Sequence, residues 1–201
     1  TGNDFASALG LGTIDATIVV SKPSAVDLIR VTSTEQDSWV ASIAIAGFPA
    51  SINDRANRMN LPLGSQIYTV AAALELPKFQ RKLLSLEIDG ETVETDTAML
   101  AIGNTKLFGG GMLACPDATP DDGLLHLTSI QGVGRLGIIR HLAGRRGGTA
   151  DRPEVLRRTG GHIRLHTSAV AVWGDGEPVG VGPLELTIAP GALLLAGANP
   201  T

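Results

Sequence analysis

The sequence predicts a mainly β protein, a β-sandwich carrying a few short helices. Three observations lead there. Apolar runs of strand length recur along the chain, rich in Val, Ile and Leu and too short for packed helices. They are punctuated by turn pairs such as Asp89-Gly90, Asp122-Gly123 and Asp175-Gly176, which favour tight reversals. The last fifth is almost entirely strand-like and lacks the regular strand-helix alternation of a parallel α/β sheet.

Taken in order, Asn3 or Asp4 caps a short helix that Gly10 and Gly12 end. Residues 26–34 and 39–48 alternate apolar with polar or small side chains and predict a hairpin turning at residues 35–37. A short helix is expected over 51–60. A second spans 64–76, with Ile67, Val70, Ala71 and Leu74 at helical spacing and Pro77 as its stop. Strands at 83–88 and 97–102 flank Asp89-Gly90, and another covers 124–130. Residues 134–143 predict a helix with an apolar stripe of Leu136, Ile139 and Leu142. Asp151 caps a further short helix with Pro153 in its first turn, and strands follow at 162–166, 169–173, 184–188 and 192–195.

Composition narrows the function. With 201 residues and 43% apolar, the chain can bury a sizeable core. A net charge of −4 and 3% aromatics argue against nucleic acid, whose binders carry basic stripes and stacking rings. The single cysteine, Cys115, excludes an internal disulfide and a zinc cluster, and reads as a small buried hydrophobe in a cytoplasmic protein. No apolar run approaches the roughly 20 residues that span a bilayer.

Chemistry concentrates in residues 103–127. An apolar strand runs into Gly103-Asn104, then the consecutive glycines 109–111, then Asp121-Asp122-Gly123. Adjacent glycines cost entropy on ordering, so backbone here passes close to another strand or a ligand. The acidic turn gathers carboxylates and carbonyls, the donors a hard cation takes. Taken locally, both features also fit a plain loop. The Asp175-Gly176-Glu177 turn likewise fits either a simple hairpin or a carboxylate presented at a sheet rim.

The succession GN, FGGGM, P-x-A and DDGLL resembles the C-terminal half of the bacterial diacylglycerol kinase family, lipid kinases similar to sphingosine kinases. Thr1-Gly2-Asn3-Asp4-Phe5-Ala6, Gly47-Phe48 with Asn57-Arg58, and Asp175-Gly176-Glu177-Pro178 agree in order, so the resemblance covers essentially the whole chain. It implies ATP as phosphoryl donor and Mg2+ as cofactor. It implies Glu177 as the proton acceptor with Asp175 in support, and Thr1, Gly2 and Asn3 at the nucleotide. It implies a magnesium site of Asp122 with the carbonyls of Thr119 and Leu124, and Asn104 orienting the substrate hydroxyl. The resemblance further implies an interdomain segment at residues 1–12 closing the nucleotide site and a sandwich over 13–201. It also implies a preceding, N-terminal nucleotide-binding domain outside this sequence, so the chain is expected to be a piece of a larger kinase, inactive alone. Pro49, Ser7 and His126 depart from the residues common there, an aspartate, an arginine and an acidic residue, which leaves the lipid undetermined.

Eight arginines lie between 135 and 164 against only Asp151 and Glu154. Arg145, Arg146, Arg157 and Arg158 are expected to dock on anionic headgroups, each contributing on the order of 1 kcal/mol, unless they are simply a solvated face. The expected protein is therefore cytoplasmic and peripheral at the inner face of the membrane. Its expected partners are a lipid substrate and the missing domain, not nucleic acid, and homodimer formation is left open. A noncatalytic metal-binding sandwich module and an NAD kinase relative remain as alternatives.

Overall fold

The structure is a computed structural model that describes residues 4–9, 23–34, 37–64, 66–143 and 152–195. Its strands are β1 (Ser24–Thr32), β2 (Asp37–Val40), β3 (Ile43–Gly47), β4 (Lys82–Ile88), β5 (Glu91–Gly103), β6 (Leu107–Phe108), β7 (Met112–Leu113), β8 (Leu125–Gln131), β9 (Val155–Gly160), β10 (His162–Leu165), β11 (Ala171–Gly174), β12 (Glu177–Val181) and β13 (Leu184–Leu195). Its helices are α1 (Asp4–Ala8), α2 (Phe48–Arg58), α3 (Gln66–Glu75), followed by a 3-10 turn Leu76–Lys78, and α4 (Arg135–Ala143).

Among the described residues, β6 and β7 form a small hairpin of their own, and the other eleven strands form one antiparallel sheet in the order β12-β11-β3-β5-β4-β10-β13-β1-β2, with β8 joining β5 to β9. The end strands β12 and β2 touch, so the sheet wraps almost onto itself as a sandwich. Its interior is filled by Ile29, Leu86, Leu100, Leu127, Ile163 and Leu186. A second apolar layer lies on the outer face, where Ile45, Met99, Ala101 and Ile130 meet Phe48 of α2, Ala71 of α3 and Ile138 of α4. Strands between the two layers must be apolar on both faces. This explains why the second half of β5 is buried at every residue while its first half alternates.

The predicted turns form where the dipeptides stand. Asp89 and Gly90 take φ of 47° and 92° between β4 and β5, the two positive values a tight hairpin needs. Several boundaries differ from the sequence reading. The expected strand 39–48 is cut at Ala41-Ser42: β2 stays with β1, whereas β3 crosses to β5 and β11. β3 ends at Gly47 (φ 83°), where a side chain is excluded because a Cβ would lie 2.7 Å from the Ala98 carbonyl oxygen, and α2 starts at once with Pro49 in its first turn. The expected strands 184–188 and 192–195 are one strand, β13, continuous through a bulge opposite Asp27. Among the described residues, no helix follows residue 152. Pro153-Glu154 turn into β9, whose pairing with β8 overrides local propensity, while Asp151 itself lies outside the described residues.

The stripe on α4 also differs. Ile138 is wholly buried and Leu142 packs beside it, but Leu136 is 84% and Ile139 39% exposed. The helix seats its other apolar row on the sheet.

Candidate functional site

One buried carboxylate organises the site. Asp27 sits in the β1 segment opposite the β13 bulge and is 3% exposed. Its Oδ1 accepts the amide of Gly191 at 2.7 Å and its Oδ2 the amide of Gly123 at 2.8 Å. Its own amide donates to the Pro120 carbonyl at 2.7 Å, and its carbonyl accepts the Asn104 side-chain amide at 2.7 Å. Asp27 therefore ties β1, the β13 bulge, the Asp121-Asp122-Gly123 turn and the end of β5 into one assembly. The sequence reading missed it. The available signal was an aspartate among the apolar residues of Val26-Asp27-Leu28-Ile29.

Asn104 is fully buried. Its amide nitrogen serves both Asp27 and the carbonyl of Ala41 at 3.1 Å, and its backbone amide donates to Ser42 at 2.8 Å. Its side chain thus braces two loops from within the protein. Among the described residues, its Oδ1 finds no hydrogen-bond donor.

Ala41 and Ser42 lead to the second acidic turn. Asp175 (φ 51°) and Gly176 (φ 91°) join β11 to β12, and the Asp175 carboxylate accepts the amides of Ala41 at 2.6 Å and Ser42 at 3.0 Å. The Asn57 side chain of α2 donates to the Gly176 carbonyl at 3.2 Å. These bonds clamp the hairpin from two sides. Glu177, the first residue of β12, is exposed beside the clamped turn.

The Asp122 turn is closed by its own donors. Oδ2 accepts the Thr119 hydroxyl at 2.8 Å, the Thr119 amide at 3.2 Å and the His126 Nε2 at 2.9 Å, while Oδ1 accepts the Leu124 amide at 2.9 Å. Partial burial pushes the Asp122 carboxyl upward, but the hydrogen bonds from Thr119, His126 and Leu124 outweigh it and hold the group below its ordinary value. The Thr119 carbonyl accepts the Asp122 amide at 3.4 Å, and among the described residues no cluster of three or more His, Cys, Asp or Glu is arranged for a metal. In this arrangement the turn does not fit a divalent cation, because donors occupy the carboxylate a cation would take.

The glycine run forms the tip between β6 and β7, with Gly109, Gly110 and Gly111 at φ of 63°, 87° and 99°, values that favour glycine. The Gly110 amide donates to the Asp4 carboxylate at 2.8 Å, and Leu9 packs on Val26 beside Asp27. The N-terminal helix thus lies at the same end as the Asp27 assembly. Thr1, Gly2 and Asn3, which precede it in the sequence, lie outside the described residues, and so do Arg145 and Arg146. Arg157 and Arg158 are neighbours on β9; Arg157 is half-buried at a cavity of about 20 Å³ that Cys115, Asp117 and His126 also line, and Arg158 is exposed.

The two acidic turns are thus joined through Asp175, Ala41, Asn104 and Asp27 within one hydrogen-bonded assembly at the end of the molecule where α1 enters. A profile of the YegS C-terminal NAD kinase beta sandwich-like domain matches residues 42–197. The chain belongs to this family. A protein of Mycobacterium tuberculosis named diacylglycerol kinase is 33% identical over 201 residues, covering 96% of the chain and 65% of that relative. A protein of Stenotrophomonas maltophilia named "Probable lipid kinase YegS-like" is 33% identical over 133 residues, 64% of the chain and 43% of the relative. The chain thus spans less than two thirds of the length of these relatives. A crystal structure of a diacylglycerol kinase from Bacillus anthracis superposes with a TM-score of 0.68 at 15% identity, covering all of this chain and 64% of that one, and so shares the fold. Among the described residues, no helix of this YegS-type domain is long and apolar enough to cross a membrane.

Proposed function

We propose that this chain is the substrate-side half of an ATP-dependent kinase that phosphorylates the hydroxyl of a diacylglycerol-like lipid. The observation that carries the proposal is the hydrogen-bonded path from the Asp175-Gly176 hairpin to the Asp122 turn, which leaves Glu177 exposed at the rim of the clamped hairpin. A carboxylate at that rim can accept the proton of an alcohol as its oxygen attacks the γ-phosphorus and ADP departs. Asp175 fixes the hairpin rather than the reacting atoms, because its carboxylate is spent on backbone amides. By the family resemblance, donor phosphates are assigned to the Thr1-Gly2-Asn3 segment that precedes α1 in the sequence, and ATP would bring its magnesium with the triphosphate; no step is assigned to a cation at Asp122. The names of the relatives favour a lipid acceptor over NAD, and the protein meets that lipid peripherally at the membrane surface. The test is the full-length protein offered ATP with diacylglycerol, sphingosine or NAD. Phosphorylation of diacylglycerol that Glu177→Gln reduces at least about 100-fold supports the proposal; NAD phosphorylation, or a Glu177→Gln variant of full activity, overturns it.

A further inference from the structure

Helix α4 turns one charged and apolar face to solvent, and among the described residues its apolar centre has no protein partner. Arg135, Leu136, Ile139 and Arg140 are all exposed, while Ile138 and His141 face inward at 0% and 4%. At about 100° per residue, the four exposed positions span roughly 140° of the helix, ordered Arg135, Ile139, Leu136, Arg140. An apolar pair is thus flanked on both sides by guanidinium groups, and α4 carries no acidic residue. The Arg135 guanidinium donates to the Pro77 carbonyl at 2.6 Å, which sets α4 beside the 3-10 turn. Lys78 of that turn is exposed, and Leu74 just before it is 50% exposed. Glu75, the acidic residue between them, is largely covered and paired with Arg55 and Lys78.

We infer that the outer face of α4, continued by Leu74 and Lys78, is the surface by which this protein lies on an anionic lipid bilayer. The choice of partner rests on the lipid kinase reading; the shape and charge of the face come from the fold. Leu136 at 84% exposure gains nothing from water and gains burial at the acyl boundary, while arginines on either side keep their heads among phosphates. A chain of net charge −4 is not drawn to an anionic surface as a whole, so a local basic face also sets its orientation there. This face differs from the arginine set expected from sequence, in which Arg157 is half-buried on β9.

The experiment is sedimentation of the full-length protein, without ATP, with vesicles of phosphatidylglycerol and phosphatidylcholine in equal parts and with phosphatidylcholine alone. Replacing both arginines (Arg135→Gln with Arg140→Gln) is expected to weaken binding to the mixed vesicles about 30-fold, and the loss should vanish at high salt. Leu136→Ser with Ile139→Ser is expected to weaken it about 10-fold at any salt. Leu136→Trp should bind more tightly than the parent, with blue-shifted emission, since indole favours the bilayer interface; a vesicle-free circular dichroism spectrum and thermal midpoint matching the parent separate this gain from exposure of the core by misfolding. Binding within about twofold of the parent for both double variants, or no shift for the tryptophan variant, overturns the inference. Phosphorylation of a water-soluble short-chain diacylglycerol is measured in parallel. If the parent fails that assay while the vesicle results hold, the kinase reading falls and the docking face stands.

Discussion

The Asp27 carboxylate accepts the Gly123 amide at 2.8 Å across 96 residues of sequence, and its other oxygen holds Gly191 across 164. Replacing it with alanine leaves two amides of a part-buried site without their acceptor. Each such group costs roughly 1 to 3 kcal/mol, so Asp27→Ala should lower the unfolding free energy of the full-length protein by about 3 kcal/mol, measured by urea denaturation. Kinase activity should fall with it, because the Asp122 turn and Asn104 lose their common anchor. A change under about 1 kcal/mol would show that the carboxylate is not the tie described.

Asp175 and Glu177 should separate in their effects although they are two residues apart. Asp175→Asn turns an amide toward the backbone amides of Ala41 and Ser42, so stability and activity should drop together, the former by about 2 kcal/mol. Glu177→Gln alters an exposed side chain, so the thermal midpoint should stay while turnover drops. Calorimetry and single-turnover kinetics on both variants check the division. Loss of stability in the glutamine variant would assign Glu177 to the scaffold.

The strands and their turns were legible because they follow from local rules: an apolar run of strand length and an Asp-Gly pair name a hairpin without knowledge of the partner. What binds the hairpins together was not. Asp27 is a single polar residue whose partners lie far away, and only the bulge created by Pro190-Gly191 makes room for it. The α4 stripe failed for a different reason. Leu136 with Ile139 and Ile138 with Leu142 both satisfy helical spacing, and only the sheet decides which row is covered. Both acidic turns were found as candidates, but the spacing of Asp122 and His126 did not reveal that the imidazole closes the carboxylate.

Cys115 is buried, donates its thiol to the His126 carbonyl at 3.1 Å, and has its pKa pushed by burial from 9.0 to about 12. The thiol should resist iodoacetamide at neutral pH in the folded protein and react once unfolded, as mass spectrometry would report. The same shift sets an alkaline limit. The unfolded chain ionises near 9 while the folded one keeps its proton, so stability is whole below that pH and declines as pH rises from 9 toward 12. Cys115→Ala should flatten that decline; an unchanged alkaline slope would assign it to other groups.

The Asp122 turn makes a sharp prediction about metal. A cation entering it must displace the His126 ring from Oδ2 at 2.9 Å and compete with the Thr119 hydroxyl at 2.8 Å. Without nucleotide, chelation with EDTA or addition of magnesium chloride should leave the melting temperature of the full-length protein unchanged through this turn. Asp122→Asn serves as the reference, since any magnesium effect that survives it arises elsewhere. His126→Asp exchanges a donor for a second carboxylate, so magnesium should then stabilise the fold by an amount that grows with the logarithm of its concentration above Kd, about 2.7 kcal/mol at a hundredfold excess. A parent protein stabilised by magnesium in a way that Asp122→Asn abolishes would mean that the imidazole yields its place to the ion.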